Sequence, residues 1–294
     1  MLAFARADER EISVRYVTFL ADGRSRWGRF EDGQIHPLDD LYPTLLAAIG
    51  ARSLGSTELS RSSQSPISLA DVEFLPVIPT PGKILCVGLN YENHRKETGR
   101  AEVANPTIFT RFADSQIGHN RAILRPPESA KLDYEGELAL VIGKGGRRIT
   151  AAQALEHVAG YSCYNDGSVR DWQAHTIQFT PGKNFPNTGA FGPWLVTPDE
   201  FGEPGEQRIQ TRLNGQVMQD AILAQMIFSI PKLIEYCSTF TLLAPGDVIV
   251  TGTPGGVGAK REPPVFMKPG DCVEVEIDGI GILANSIADE QSEA

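Results

Sequence analysis

The stretch LDYEGELALVIGK, residues 132–144, carries Asp133, Glu135 and Glu137 at alternate positions. On a strand, side chains two apart project to the same face, so three like charges crowd one surface. Either that face is an exposed rim, or the acids hold a cation. The apolar LALVIG that follows argues for a strand inside a sheet, where carboxylates are costly unless paired or metal-bound. Gly136, between the glutamates, adds no bulk on the opposite face. A further acid, Asp166, stands where the strand signal of YSCYND gives way to a polar loop, a place where functional residues concentrate. Three oxygen donors suggest a hard divalent ion, Mg²⁺ or Mn²⁺, with Ca²⁺ also admissible. Three carboxylates around an octahedral ion leave positions for water and substrate, an open catalytic arrangement.

Other residues offer partners for such a site. In NYENHRKETG, His94 and Glu97 lie three apart and share a face if the segment is helical. A carboxylate beside an imidazole fixes its tautomer and raises its basicity; the plainer alternative is a surface ion pair. Lys183 follows the Pro-Gly turn of TPGKNF and either points into a site or is solvated. VTGTPGGVG lacks the GK[ST] of a phosphate loop, but Thr253 and successive backbone N–H groups suit an anion.

Elements that must position these residues are readable from pattern and punctuation. Residues 12–36 read as a small β-meander broken at ADG and EDG, and LYPTLLAAIG as a short helix. Prolines at 76, 79 and 81 mark a boundary near residue 75, giving a small domain, 1–75, and a larger one, 76–294. TAAQALEHV predicts a helix with Thr150 as N-cap; SIPKLIEYCSTF predicts another, with Ser229 as N-cap and Pro231 in its first turn. Near the end, Val273, Val275 and Ile277 alternate with Glu274, Glu276 and Asp278 before a hairpin turn at Asp278-Gly279. The class is α+β, mostly β.

Composition narrows the function. A chain of 294 residues, 41% hydrophobic and 22% charged, affords one large core. A net charge of −10 without a basic face excludes a nucleic-acid binder. No apolar run is long enough to span a membrane, and the opening residues MLAFARADEREISVRY turn charged at once, unlike a secretory signal. Cys86, Cys163, Cys237 and Cys272 form no CxxC pair and read as reduced core thiols of a cytoplasmic protein.

Together, VGLNYENHRKE, LDYEGELALVIGK, GYSCYNDGSVRDWQ, TPGKNF, GPWLVTPDE and VIVTGTPGGVG, in this order over residues 80–288, resemble the fumarylacetoacetate hydrolase family, in its acylpyruvate hydrolase-like branch. The resemblance implies a mixed β-roll, usually a homodimer, preceded by a small variable leading domain. It implies Glu135, Glu137 and Asp166 as ligands of Mg²⁺ or Mn²⁺, Lys183 as the site lysine, and His94 with Glu97 as a base dyad on a mobile lid. Gln173 and Thr253 match positions that hold the oxo-acid end of the substrate. Asp133 takes no role from the family and is placed at the entrance of the strand. The implied activity is hydrolysis of a C–C bond in a small anionic 2-oxo acid, an acylpyruvate such as fumarylpyruvate or maleylpyruvate, in aromatic-compound catabolism. Isomerisation, decarboxylation, hydration and a non-catalytic metal-binding role are the alternatives. Two departures stand out: Arg111-Phe112 replaces the Lys-Pro of many members, and Val169 replaces a small residue before Arg170. Arg111 and Arg170 supply the local positive charge that a dicarboxylate substrate needs.

Overall fold

The computed structural model describes residues 14–291; most of the opening stretch read for a targeting signal lies outside them. Asp22-Gly23 and Asp32-Gly33 place both members of each pair at positive φ (50° and 70°; 50° and 78°), the conformation of a two-residue type I′ hairpin. They fold β1 (Arg15–Ala21), β2 (Arg24–Glu31) and β3 (Gln34–Pro37) into the expected meander. Helix α1 (Leu45–Gly50) follows, then β4 (Ile67–Ser68), β5 (Glu73–Phe74), β6 (Ile84–Gly88) and helix α2 (Glu92–Glu97). Next come β7 (Thr107–Arg111), β8 (Gln116–Ile117), β9 (Ile123–Arg125), β10 (Leu132–Asp133), β11 (Gly136–Ile142), β12 (Val158–Asn165) and β13 (Ser168–Val169). Two single-turn helices, α3 (Arg170–Gln173) and α4 (Thr180–Lys183), lead to β14 (Gly189–Val196) and α5 (Pro198–Phe201). The chain closes with β15 (Arg208–Leu213), β16 (Gln216–Ile222), α6 (Ile230–Phe240), β17 (Val248–Val250), β18 (Cys272–Ile277) and β19 (Gly281–Asp289).

A mixed sheet of order β4-β3-β2-β1-β14-β12-β11-β17-β6-β7 forms the frame, with β5 beside β1 and β8 beside β14. A second sheet, β16-β15-β18-β19-β9, packs against it, and β10 pairs with β13 alone. The fold is α+β and mostly β, as the pattern predicted. Tyr16 of β1 stands opposite Leu195 of β14, so strands on both sides of residue 75 share one sheet.

Strand β11 shows how the frame is stabilised. All seven of its residues are buried, yet they serve two cores. Leu138, Leu140 and Ile142 pack with Ile209, Val273, Val275 and Ile277 of the second sheet. Ala139 and Val141 pack with Tyr16, Trp27, Leu45 and Ile49 of the leading segment. Period-two alternation thus sends successive side chains into opposite layers. Each large aliphatic side chain so buried contributes roughly 1.5–3 kcal/mol. The site strand is therefore held from both sides.

Helix α6 buries Ile230, Leu233, Ile234 and Cys237, one face at helical spacing, with Pro231 in its first turn as expected. The other two helical expectations change in detail. Residues Ala151–His157 are 3₁₀ rather than α, and the Thr150 hydroxyl bonds the Gln153 side chain instead of a backbone N–H. Ser229 precedes α6 without a side-chain cap bond. The Asp278-Gly279 hairpin forms with a three-residue loop, Gly279 taking the left-handed position at φ 82°.

Candidate active site

Glu135 sits in the break between β10 and β11, Glu137 is the second residue of β11, and Asp166 follows the last residue of β12. The antiparallel β11–β12 ladder pairs Gly136 with Asn165 and so brings the two acidic segments level. A clamp completes the approach: the Asp166 N–H donates to the Glu135 carbonyl at 2.8 Å, and the Glu135 N–H to Asn165 Oδ1 at 3.0 Å. Each acid then offers an oxygen within 4.8 Å of the others, and all three residues are buried. Gly136 is required here. A Cβ on it would lie 2.0 Å from Thr211 Oγ1 of β15, so only glycine lets the second sheet pack this close.

The counter-charges are unequally distributed. Lys183 Nζ, on α4, lies 2.7 Å from Glu135 Oε2 and 2.6 Å from Asp166 Oδ2. Arg111 Nη1 lies 2.6 Å from Asp166 Oδ1, and Arg170 Nη1 2.6 Å from Glu135 Oε1. Burial would raise the Glu135 carboxyl, but Lys183, Arg170 and His94 hold it below its ordinary range. Glu137 has one donor among the described residues, the Gly252 N–H at 2.5 Å. Burial, and then the negative charges of Asp166 and Glu135, push its carboxyl well above the usual range. A buried carboxylate set with one under-compensated member fits a hard divalent cation, which would supply the missing charge.

Beside this set lies the dyad. His94 Nδ1 and Glu97 Oε1 are 2.7 Å apart on α2, and the second Glu97 oxygen accepts the Gly256 N–H at 2.9 Å. Burial would raise Glu97, but the bonds from His94 and Gly256 keep it below the ordinary carboxylate range. An ionised Glu97 accepts, so Nδ1 carries the proton and Nε2 is left with a lone pair. The start of α2 is anchored by Asn90, which bonds the backbone of Phe228 in both directions and the Thr251 carbonyl at 2.7 Å. Those bonds hold Leu89 at φ 61°, a left-handed conformation that costs a branched residue on the order of 1–2 kcal/mol.

The structure gathers every expected residue around one centre, where several already have protein partners. Arg111 is no free substrate ligand: fully buried, it donates to Asp166, the Gly167 carbonyl, Ser115 and Thr188. It is the support behind Asp166. Thr253 likewise spends its hydroxyl inside the protein, donating to the Gly136 carbonyl at 2.9 Å and accepting from Gln219 at 2.7 Å. Lys183 directs its ammonium to the two carboxylates rather than to open space. Arg170 and Gln173 keep capacity. Arg170 Nη2 is buried without a partner, and the Gln173 amide N–H₂ has no protein acceptor among the described residues. Asp133 ends the short strand β10 just ahead of β11, where it is fully buried and accepts from Gly258, Ala259 and Arg170.

Sequence reasoning missed Gln219, Asn165 and Asn90. Gln219 accepts the Gly136 N–H at 2.9 Å and donates to Thr253 and the Pro254 carbonyl, tying β11 to the glycine-rich loop. Its signal was an amide in the middle of β16 beside the buried Met218.

The family model described as Fumarylacetoacetate (FAA) hydrolase C-terminal matches residues 83–288. The chain belongs to the fumarylacetoacetate hydrolase family. An oxaloacetate tautomerase of Bos taurus, named as mitochondrial, is 42% identical over 264 residues, 87% of this chain and 84% of that protein. A fumarylacetoacetate hydrolase from the psychrophilic Exiguobacterium antarcticum superposes with a TM-score of 0.84 at 35% identity, covering 95% of this chain and all of that one. The maleylpyruvate hydrolase of Sphingobium sp. SYK-6, solved with manganese(II) and pyruvate, superposes with a TM-score of 0.79 at 26% identity, covering 94% of this chain and all of that one.

Proposed function

We propose that this family member is a divalent-metal-dependent enzyme that interconverts the keto and enol forms of a small anionic 2-oxo acid, an oxaloacetate-like dicarboxylate. The observation that carries the reading is the His94–Glu97 pair, 2.7 Å apart, with His94 buried and Glu97 partly buried beside three carboxylates and Nε2 free to act as a base. The 42% identity to an oxaloacetate tautomerase moves the reading from C–C hydrolysis toward enolisation. A cation held by Glu135, Glu137 and Asp166, Mg²⁺ or Mn²⁺ with Ca²⁺ admissible, supplies a Lewis acid toward a 2-oxo oxygen. His94 removes the proton from C3, Glu97 stabilises the imidazolium, and the same proton returns to the substrate oxygen as the enol forms. Positioned general bases contribute about 10²–10⁴-fold. Arg170 Nη2 and the Gln173 amide are the groups left to hold the substrate carboxylates. Arg111 acts indirectly, by fixing Asp166.

Acylpyruvate hydrolysis is the second reading. The likeness to a maleylpyruvate hydrolase solved with manganese(II) and pyruvate favours it, and the same dyad would then deprotonate water. One experiment separates them. Purified protein with Mn²⁺ is given oxaloacetate in its enol form, and separately maleylpyruvate and fumarylpyruvate. Faster loss of enol absorbance from oxaloacetate without pyruvate release is the expected result; pyruvate release from an acylpyruvate at a higher kcat/KM overturns it.

The proposal carries two further expectations: a homodimer, read by sedimentation, and a cytoplasmic protein. All four cysteines are free thiols, which fits a reducing compartment. Among the described residues no helix is long and apolar enough to cross a membrane.

A further inference from the structure

We propose that Asp133 is a positioning residue for the base dyad. It seats the 256–259 loop, and that loop seats Glu97. The proposal rests on the reading of His94 and Glu97 as the base.

The carboxylate of Asp133 accepts four donors. Oδ1 takes the Tyr134 N–H and the Gly258 N–H, each at 2.9 Å; Oδ2 takes the Ala259 N–H at 2.9 Å and Arg170 Nε at 2.8 Å. Two of these come from one loop, and that loop reaches the dyad. The Gly256 N–H donates to Glu97 Oε2 at 2.9 Å and the Gly255 N–H to Asn93 Oδ1 at 3.1 Å. The Tyr134 hydroxyl, from the residue next to Asp133, holds the Gly256 carbonyl at 3.1 Å. The loop has little room to settle elsewhere. A Cβ at Gly256 would meet the Met218 carbonyl at 2.2 Å, and one at Gly258 would meet the Val265 carbonyl at 1.9 Å. With its other oxygen held by Gly256, Glu97 presents Oε1 to His94 in a fixed direction. Asparagine is not equivalent at 133. Its amide can face one pair of donors with oxygen but must face the other with N–H groups, so half of the seat is lost.

The test is amide hydrogen exchange on the full chain, read on peptides covering residues 254–260 and 90–99, with kinetics alongside. Asp133→Asn is expected to raise exchange at least tenfold in both peptides and to lower kcat at least tenfold with KM within about twofold. Arg170→Gln, which removes the other partner of Asp133, is expected to leave both peptides protected. Glu97→Gln is expected to loosen 90–99 and leave 254–260 protected. Unchanged 90–99 exchange in Asp133→Asn overturns the proposal, as does loosening of 254–260 in Glu97→Gln to the same extent. If Asp133→Asn loses its cooperative thermal transition, Tyr134→Phe takes its place. Losing one hydrogen bond to Gly256, it is expected to raise 90–99 exchange about fivefold; no change overturns the proposal. A wild type inactive on every substrate would fail the functional reading while leaving the exchange result to stand or fall by itself.

Discussion

Asp133 and Glu137 lie four residues apart in one buried stretch and have opposite surroundings. Asp133 has four donors in place, two of them backbone N–H groups of one loop. Glu137 has one, and faces Asp166 and Glu135. Desolvating a carboxylate is costly in both places, but only Asp133 is compensated by the protein itself. A saturated acid fixes structure; an acid left short is free to bind something else. Both residues are buried carboxylic acids, so the distinction comes from the donors around each.

The most direct way to break this comparison is to neutralise the under-compensated acid. Glu137→Gln is expected to cut activity by more than about 100-fold, since even outer-shell partners of metal ligands are worth roughly 10–100-fold. The same variant should be more stable than wild type without metal, by on the order of 1 kcal/mol, because the buried side chain no longer has to take up a proton or face Asp166 and Glu135 as an anion. Thermal unfolding with and without Mn²⁺ checks both: a higher Tm without metal and a lost metal-induced shift. Asp133→Asn should do the reverse, losing about 3 kcal/mol of stability with or without metal, as expected when a buried, paired charge is removed. Equal behaviour of the two variants would dissolve the distinction.

Much of this was legible in the sequence because it is written in local rules. The Asp-Gly hairpins, the Val273–Ile277 alternation and the α6 face follow from turn chemistry and periodicity. The spacing of Glu135 and Glu137 and that of His94 and Glu97 are also local, whereas the reason for Gly136 lies in Thr211 of β15. What was not legible depends on partners far along the chain. Arg111 read as a substrate ligand because its charge was visible and its enclosure by Asp166, Gly167 and Thr188 was not. Thr253 gave up its hydroxyl to Gly136 and Gln219, over 117 and 34 residues. Asp133 had no role in a linear reading because the two loop donors it seats lie 125 and 126 residues ahead.

His119, a partly buried group outside the site, sharpens the point that desolvation costs stability wherever no charge answers it. Its ring packs edge-on to Phe74 and Nδ1 accepts the Ala284 N–H at 3.1 Å. Burial lowers it from 6.5 to about 4. Between those values the unfolded chain binds a proton that the folded protein does not, so stability present above pH 6.5 is lost as pH falls toward 4. The gap corresponds to at most about 3.4 kcal/mol. Urea unfolding at pH 7 and pH 4.5 should show the drop, and His119→Gln should reduce it; an identical pH dependence in the variant would count against the burial argument. Gly136→Ala comes next, with roughly 1–3 kcal/mol lost to overpacking against Thr211, and Thr211→Ser should not rescue it, since the contact is with the hydroxyl oxygen.

The smallest expected effect belongs to a third kind of acid. Glu92 is exposed on α2 and lies 2.7 Å from Arg95 Nη2 and 3.3 Å from Lys96 Nζ. Its hydrogen bond with Arg95, foremost, brings its carboxyl from 4.5 down to about 2. By sign alone, that favours the folded protein above pH 4.5 and fades as pH falls toward 2. Solvent and salt screen an exposed pair, however, and long side chains lose entropy in holding it. Glu92→Gln should therefore leave Tm within about 1 °C of wild type. A shift as large as that of Asp133→Asn would mean that pairing by itself, without burial, decides what an acid contributes here. A negligible shift leaves desolvation as what separates the buried Asp133 and Glu137 from the acids of the surface.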